Sequence, residues 1–84
     1  MLKVYSKTVC PYCVHVKQFL KSKNISFEDI NIELMPEGRE FLLSKGHRSV
    51  PQIYFDDELF VEGGWQGLNQ LTEEEINAKI NSLT

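Results

Sequence analysis

A chain of 84 residues is long enough for one small domain, expected to span residues 1–84, and too short to bury a large share of its surface. With 42% hydrophobic and 25% charged residues it has enough apolar material for a core, which argues against disorder. A net charge of −3 argues against a nucleic-acid binder, which needs a basic face. The start of the chain, Met1-Leu2-Lys3-Val4-Tyr5, lacks the apolar stretch of a signal peptide, and nowhere do about eighteen apolar residues run together, so no membrane span is expected. A cytoplasmic, reducing location follows as the expectation. There, two cysteines point to redox chemistry or metal binding rather than to a structural staple.

Taken in chain order, Leu2 to Ser6 alternates as a first strand, and Lys7 to Cys10 forms a loop. Pro11 suits the first turn of a helix, where its missing N–H would be unpaired anyway. The helix runs to Lys23, with Cys13, Val16, Phe19 and Leu20 on one face and Asn24 as its stop. Ile25 to Ile32 reads as a second strand. Pro36 and Gly46 bracket a second helix containing Phe41 and Leu42. Pro51 to Phe55 reads as a third strand, Asp56-Asp57 as a turn and Glu58 to Val61 as a fourth strand, which Gly63-Gly64 ends. A final helical region in two parts follows, and Thr72 with Glu75 forms a capping box for the second part. The order is β-α-β-α-β-β-α. The helix between the first two strands makes them parallel, and the short turn makes the last two antiparallel.

The chemistry centres on Cys10-Pro11-Tyr12-Cys13. Thiolate, not thiol, attacks a disulfide, and a helix N-terminus favours negative charge through its free N–H groups and macrodipole. Cys10 lies just before the helix, where those groups point, and Lys7 adds positive potential. Cys10 should therefore ionise more readily than a free thiol and act as the attacking group. Cys13, one turn further in on the core-facing stripe, is then the resolving thiol. A zinc site built from Cys10, Cys13, His15 and His47 is disfavoured, because His15 falls on another helix face than Cys13 and tetrahedral zinc needs four convergent ligands. Taken singly, His15 and His47 read as solvated surface residues. No metal is expected.

Three motifs occur in order. Tyr5-Ser6-Lys7-Thr8-Val9-Cys10-Pro11-Tyr12-Cys13, Ser49-Val50-Pro51-Gln52-Ile53 and Gly63-Gly64 resemble the strand–loop–active site, the Thr-Val-Pro segment and the diglycine turn of the glutaredoxin family. The resemblance covers nearly the whole chain. It implies an α/β, thioredoxin-like fold with a mixed four-stranded sheet flanked by helices, and a cis Val50–Pro51 bond. It also implies a glutathione-dependent thiol–disulfide oxidoreductase acting on protein disulfides and glutathione mixed disulfides, with glutathione as reductant and partner and the chain a monomer. For the glutathione pocket, it assigns the glycyl carboxylate to Lys7 and a groove wall to Tyr12. Backbone pairing with the cysteinyl part falls to Val50 beside Pro51, and the γ-glutamyl end to Gly64, Trp65 and Gln66. Arg39 is an alternative extra cation for this pocket, but reads first as a solvated helix arginine.

The chain departs from the family pattern in places. Acidic residues often follow the family's diglycine, to hold the γ-glutamyl ammonium; here the run is Trp65-Gln66-Gly67-Leu68, which supplies no charge. Pro51 to Gly63 is about two residues longer than usual, so the hairpin must be lengthened or bulged. Glu62 stands where an apolar residue is usual. Trp65 reads first as a packing residue. Yet Trp65-Gln66-Gly67-Leu68 and Gly46-His47-Arg48 resemble the glutaredoxin-like redoxins that serve ribonucleotide reductase and draw electrons from thioredoxin reductase. Ribonucleotide reductase is thus a candidate partner, and such a redoxin is the alternative reading. A module binding an iron–sulfur cluster through Cys10 and glutathione is a third, disfavoured by Pro11, because family members with this motif act mostly as reductases.

Overall fold

The computed structural model describes residues Met1 to Thr84. The elements are β1 (Leu2–Ser6), α1 (Pro11–Ser22), β2 (Phe27–Asn31), α2 (Pro36–Ser44), β3 (Gln52–Phe55), β4 (Glu58–Val61), α3 (Trp65–Leu68) and α4 (Glu73–Leu83). The strands form one sheet in the order β2-β1-β3-β4. β1 runs parallel to β2 and antiparallel to β3, and β3 runs antiparallel to β4. The expected mixed four-stranded sheet is present, with the last helical region split into α3 and α4.

Alternation along β1 and β3 sends side chains to two faces. Leu2, Val4, Ile53 and Phe55 join Val16 and Leu20 of α1, Leu68 of α3 and Ile76 of α4 in the larger core. On the other face, Tyr5, Ile30 and Tyr54 pack with Leu42 of α2. Gly38 lets α2 approach the sheet, because a Cβ there would stand 2.6 Å from Cγ2 of Ile30. The central strands are therefore covered on both faces, which fixes where their ends can lie.

Three elements differ from the expected bounds: α1 ends at Ser22 rather than Lys23, β3 starts at Gln52 rather than Pro51, and β2 ends at Asn31 rather than Ile32 and starts late. β2 begins at Phe27 rather than Ile25, because Ile25 is tied up in capping the end of α1: its N–H donates to the Leu20 carbonyl at 3.0 Å. Asn24 makes this possible by adopting φ 58°, the left-handed conformation that closes many helices, so it is indeed the stop. The long hairpin is resolved by a bulge. Ile53 pairs with Val61 and Tyr54 with Leu59, which leaves Phe60 without an opposite residue. The bulge lets Phe60 be fully buried in the larger core.

α4 starts with the expected capping box. Thr72 Oγ1 accepts from the Glu75 N–H at 3.1 Å, and Glu75 Oε1 accepts from the Thr72 N–H at 2.9 Å. No helix is long and apolar enough to cross a membrane. Replacing Thr72 with Ala removes one half of the cap, and urea denaturation should show a loss of about 1 kcal/mol with an unchanged m-value.

Candidate active site

β1 delivers the chain to the start of α1, and Cys10 is the N-cap residue of that helix. Its backbone is extended, and its sulfur accepts a hydrogen bond from the Cys13 N–H at 3.1 Å. Capping is normally the work of a Ser, Thr, Asp or Asn oxygen. Here a sulfur occupies that place, so the group that satisfies the helix end is also one of the two sulfurs of the Cys10–Cys13 disulfide. Pro11 supplies the first helical residue without adding another orphan donor. Cys10 and Cys13 are joined as a disulfide across a Cα–Cα distance of 5.2 Å. Cys10 is 8% exposed and Cys13 1%. Beside them Val9 and Tyr12 are 80% and 55% exposed, apolar surface flanking the motif.

Two polar networks hold the loop before Cys10, and composition gave no hint of either. Ser6, at the end of β1, donates through Oγ to Asp29 of β2 at 2.7 Å, and Lys17 of α1 pairs with the same carboxylate at 3.0 Å. Partial burial pushes the Asp29 carboxyl up, but the Ser6 and Lys17 hydrogen bonds and the Lys17 and Lys21 charges outweigh it, so it titrates below its ordinary value. Further out, the Thr8 N–H donates to Glu33 at 2.8 Å, and Asn31 donates to the Thr8 hydroxyl at 3.3 Å. The Thr8 backbone N–H, then its side chain, hold the Glu33 carboxyl below the usual range, with Lys7 adding positive potential. The one local signal for this second network is Asn31-Ile32-Glu33. Asn31 accepts from the Glu33 N–H at 2.9 Å, a turn that asparagine commonly builds.

Sharing a groove with Tyr12 of the motif, the Val50–Pro51 bond is cis, as the resemblance implies. Gly64 sits against it with φ 57°, and a Cβ there would lie 2.6 Å from the Pro51 carbonyl oxygen. Glycine is required on both counts. Between these walls runs a groove of about 200 Å³ lined by Tyr12, Val50, Pro51, Gly64, Trp65 and Gln66. Six of the seven candidate glutathione contacts are thus brought together. The seventh, Lys7, lies on the other side of Val50 in an adjoining cleft of about 370 Å³. No charged side chain lines the groove itself.

Trp65 is half-buried. Its ring meets Phe19 edge-on at 5.5 Å, while His15 lies over it at 5.5 Å and 30°. Trp65 therefore packs and lines the groove at once. The histidines differ from free surface residues. His15 is exposed but set against aromatic rings. His47 is half-buried, with Nε2 at 2.7 Å from the hydroxyl of buried Tyr54. The local pattern around His47 does not show this, because the contact depends on how the segment after α2 folds back over β3. No three His, Cys, Asp or Glu side chains gather as a metal-binding group.

The family model for glutaredoxin matches residues 2–60. Over 60 residues the chain is 42% identical to the glutaredoxin-like protein NrdH of Lactococcus lactis, covering 71% of this chain and 83% of that protein. Over 78 residues it is 33% identical to glutaredoxin 3 of Escherichia coli, covering 83% of this chain and 94% of that protein. Its structure resembles the crystal structure of the thioredoxin-like protein BC3987, with a TM-score of 0.71, 32% identity, and 86% and 100% of the two chains covered. The fold is the thioredoxin-like α/β arrangement.

The Asp29 carboxylate binds its proton less readily in the folded state than in the unfolded chain. Its contribution is therefore complete at neutral pH and is lost as the pH falls below the ordinary carboxylate value. Urea denaturation from about pH 7 down to about pH 3 should show Asp29→Asn less stable than the parent at neutral pH, with the gap closing on acidification.

Proposed function

The chain belongs to the glutaredoxin family, and from that premise we propose that it is a cytoplasmic dithiol reductase of protein disulfides and glutathione mixed disulfides, with glutathione as its reductant. The observation that carries this reading is the placement of the Cys10 sulfur at the N-cap of α1, facing the Cys13 N–H, beside a groove lined by Tyr12, Val50, Pro51, Gly64, Trp65 and Gln66.

In the reduced protein, the Cys10 thiolate attacks a substrate disulfide, one substrate thiol leaves, and a mixed disulfide forms. The Cys13 sulfur then attacks Cys10, the second substrate thiol leaves, and Cys10–Cys13 remains oxidised. The substrate gains the two electrons that the dithiol loses. Two glutathione molecules reverse this state through a glutathionylated Cys10, leaving glutathione disulfide. The negative sulfur is favoured at the cap because charge-assisted hydrogen bonds are roughly twice as strong as neutral ones. Burial of Cys13 keeps it from competing for external disulfides.

The groove offers a bound glutathione the backbone of Val50, in the manner of a strand adding to an edge, with Tyr12 and Pro51 as walls. Gly64, Trp65 and Gln66 take the γ-glutamyl end, and Lys7 takes the glycyl carboxylate from beyond Val50. The protein acts as a monomer, and ribonucleotide reductase is one candidate substrate.

A second reading has specific support. The groove supplies no charge for the γ-glutamyl ammonium, and the identity to NrdH reaches 42%. On this reading the same dithiol is recharged by thioredoxin reductase and donates to ribonucleotide reductase. Turnover of a protein disulfide, coupled either to glutathione with its reductase or to thioredoxin reductase, separates the two by which arm consumes NADPH. The first reading expects the glutathione arm to dominate.

Cys10→Ser should abolish reduction of both protein disulfides and glutathione mixed disulfides. Cys13→Ser should lose the first and keep the second. Steady-state assays on both substrates check this, and activity retained by Cys10→Ser would overturn the assignment.

A further inference from the structure

The loop after α2 carries Val50, yet main-chain bonds do not hold it in place. His47 closes α2, its N–H donating to the Leu42 carbonyl at 2.9 Å. Beyond it, no backbone–backbone hydrogen bond involves Arg48, Ser49, Val50 or Pro51. The N–H and carbonyl of half-buried Val50 are therefore free to pair with another chain. Free groups are useful only where they are held still, because binding must otherwise offset the cost of ordering them.

Two side-chain bonds hold this loop. Gln52, buried at the start of β3, donates through Nε2 to the Ser49 carbonyl at 3.0 Å, reaching back across Val50 and Pro51. His47 Nε2 lies 2.7 Å from the Tyr54 hydroxyl, which closes the base of the same loop. Both anchors sit on the sheet: Gln52 and Tyr54 of β3 lie opposite Tyr5 and Lys3 of β1. The Tyr54 ring also stands edge-on to Tyr5 at 5.8 Å and to Phe41 of α2 at 5.0 Å. We propose that Gln52 and the His47–Tyr54 pair are positioning residues that hold the Val50 backbone ready for the chain bonded to Cys10. The proposal rests on the dithiol-reductase reading above, in which that backbone pairs with a bound peptide. Neither bond involves a sulfur. Their loss should weaken recognition of a peptide disulfide and leave the exchange chemistry alone.

The test compares two disulfides in single turnovers of pre-reduced protein, which need no external reductant. One is the disulfide dimer of Ala-Cys-Ala blocked at both ends, which offers amides to Val50. The other is hydroxyethyl disulfide, which has none. In each turnover the substrate S–S bond breaks and the Cys10–Cys13 bond forms. Two electrons and two protons pass from the protein thiols to yield two product thiols, counted after acid quench by chromatography. Gln52→Met, His47→Phe and Tyr54→Phe each delete one bond and keep most of the side chain's bulk. Each should slow the peptide dimer by about three- to ten-fold, the range for one hydrogen bond, while the hydroxyethyl disulfide rate stays within about two-fold of the parent. His47→Phe/Tyr54→Phe should slow the peptide no more than either change alone, because both remove the same bond. A variant that reduces the peptide at the parent rate would overturn the role of its bond. Equal slowing on both disulfides would overturn positioning, since it marks damage to the site as a whole. Additive losses in the double variant would overturn the His47–Tyr54 pair as a unit. If the parent reduces neither disulfide, the reductase reading fails and takes the proposal with it.

Discussion

A sulfur in the position of a helix cap is the constraint on which the rest of the structure depends. The first turn of α1 has backbone N–H groups with no partner inside the helix, and one of them, at Cys13, points to the Cys10 sulfur at 3.1 Å. A thiolate there gains both the hydrogen bond and the favourable end of the helix dipole. The arrangement works only if the chain enters the helix at the right angle. Ser6 and Asp29 fasten the end of β1 to β2, Lys17 fastens α1 to the same carboxylate, and Thr8 and Glu33 hold the loop between them. These bonds belong to the same device as the cap.

The second half of the site is built from the sheet's far side. β3 must bring Pro51 opposite α1, and Gly64 must pass close to the Pro51 carbonyl, which a Cβ would obstruct. The bulge that buries Phe60 takes up the extra length of the hairpin before the chain reaches Gly63 and Gly64. Packing and chemistry are therefore coupled. Ile53 and Leu68 of the larger core lie within a few residues of the groove residues Pro51 and Trp65.

Much of this was legible in the sequence, because it is local. Pro11 marks the start of α1, Asn24 its stop, and Thr72 with Glu75 the cap of α4, each through the conformation of a few adjacent residues. The Cys10-Pro11-Tyr12-Cys13 spacing likewise fixes one helical turn. What the sequence concealed is long-range. Thr8 meets Glu33 across 25 positions and Ser6 meets Asp29 across 23, pairings that exist only once β1 and β2 lie side by side. His47 looks like a surface residue until the segment after α2 brings it to Tyr54. Arg39, Arg48 and Lys7 are scattered along the chain, and only the folded sheet places them around one cleft.

The central claim is that the helix cap makes Cys10, and not Cys13, the nucleophile. Competitive alkylation tests it most directly. The reduced protein is exposed briefly to limiting iodoacetamide at neutral pH, and the modified cysteine is identified by peptide mapping. Label should accumulate on Cys10 at least about ten-fold faster than on Cys13, as thiolate character and exposure both favour. Equal labelling of the two cysteines, or faster labelling of Cys13, would contradict it.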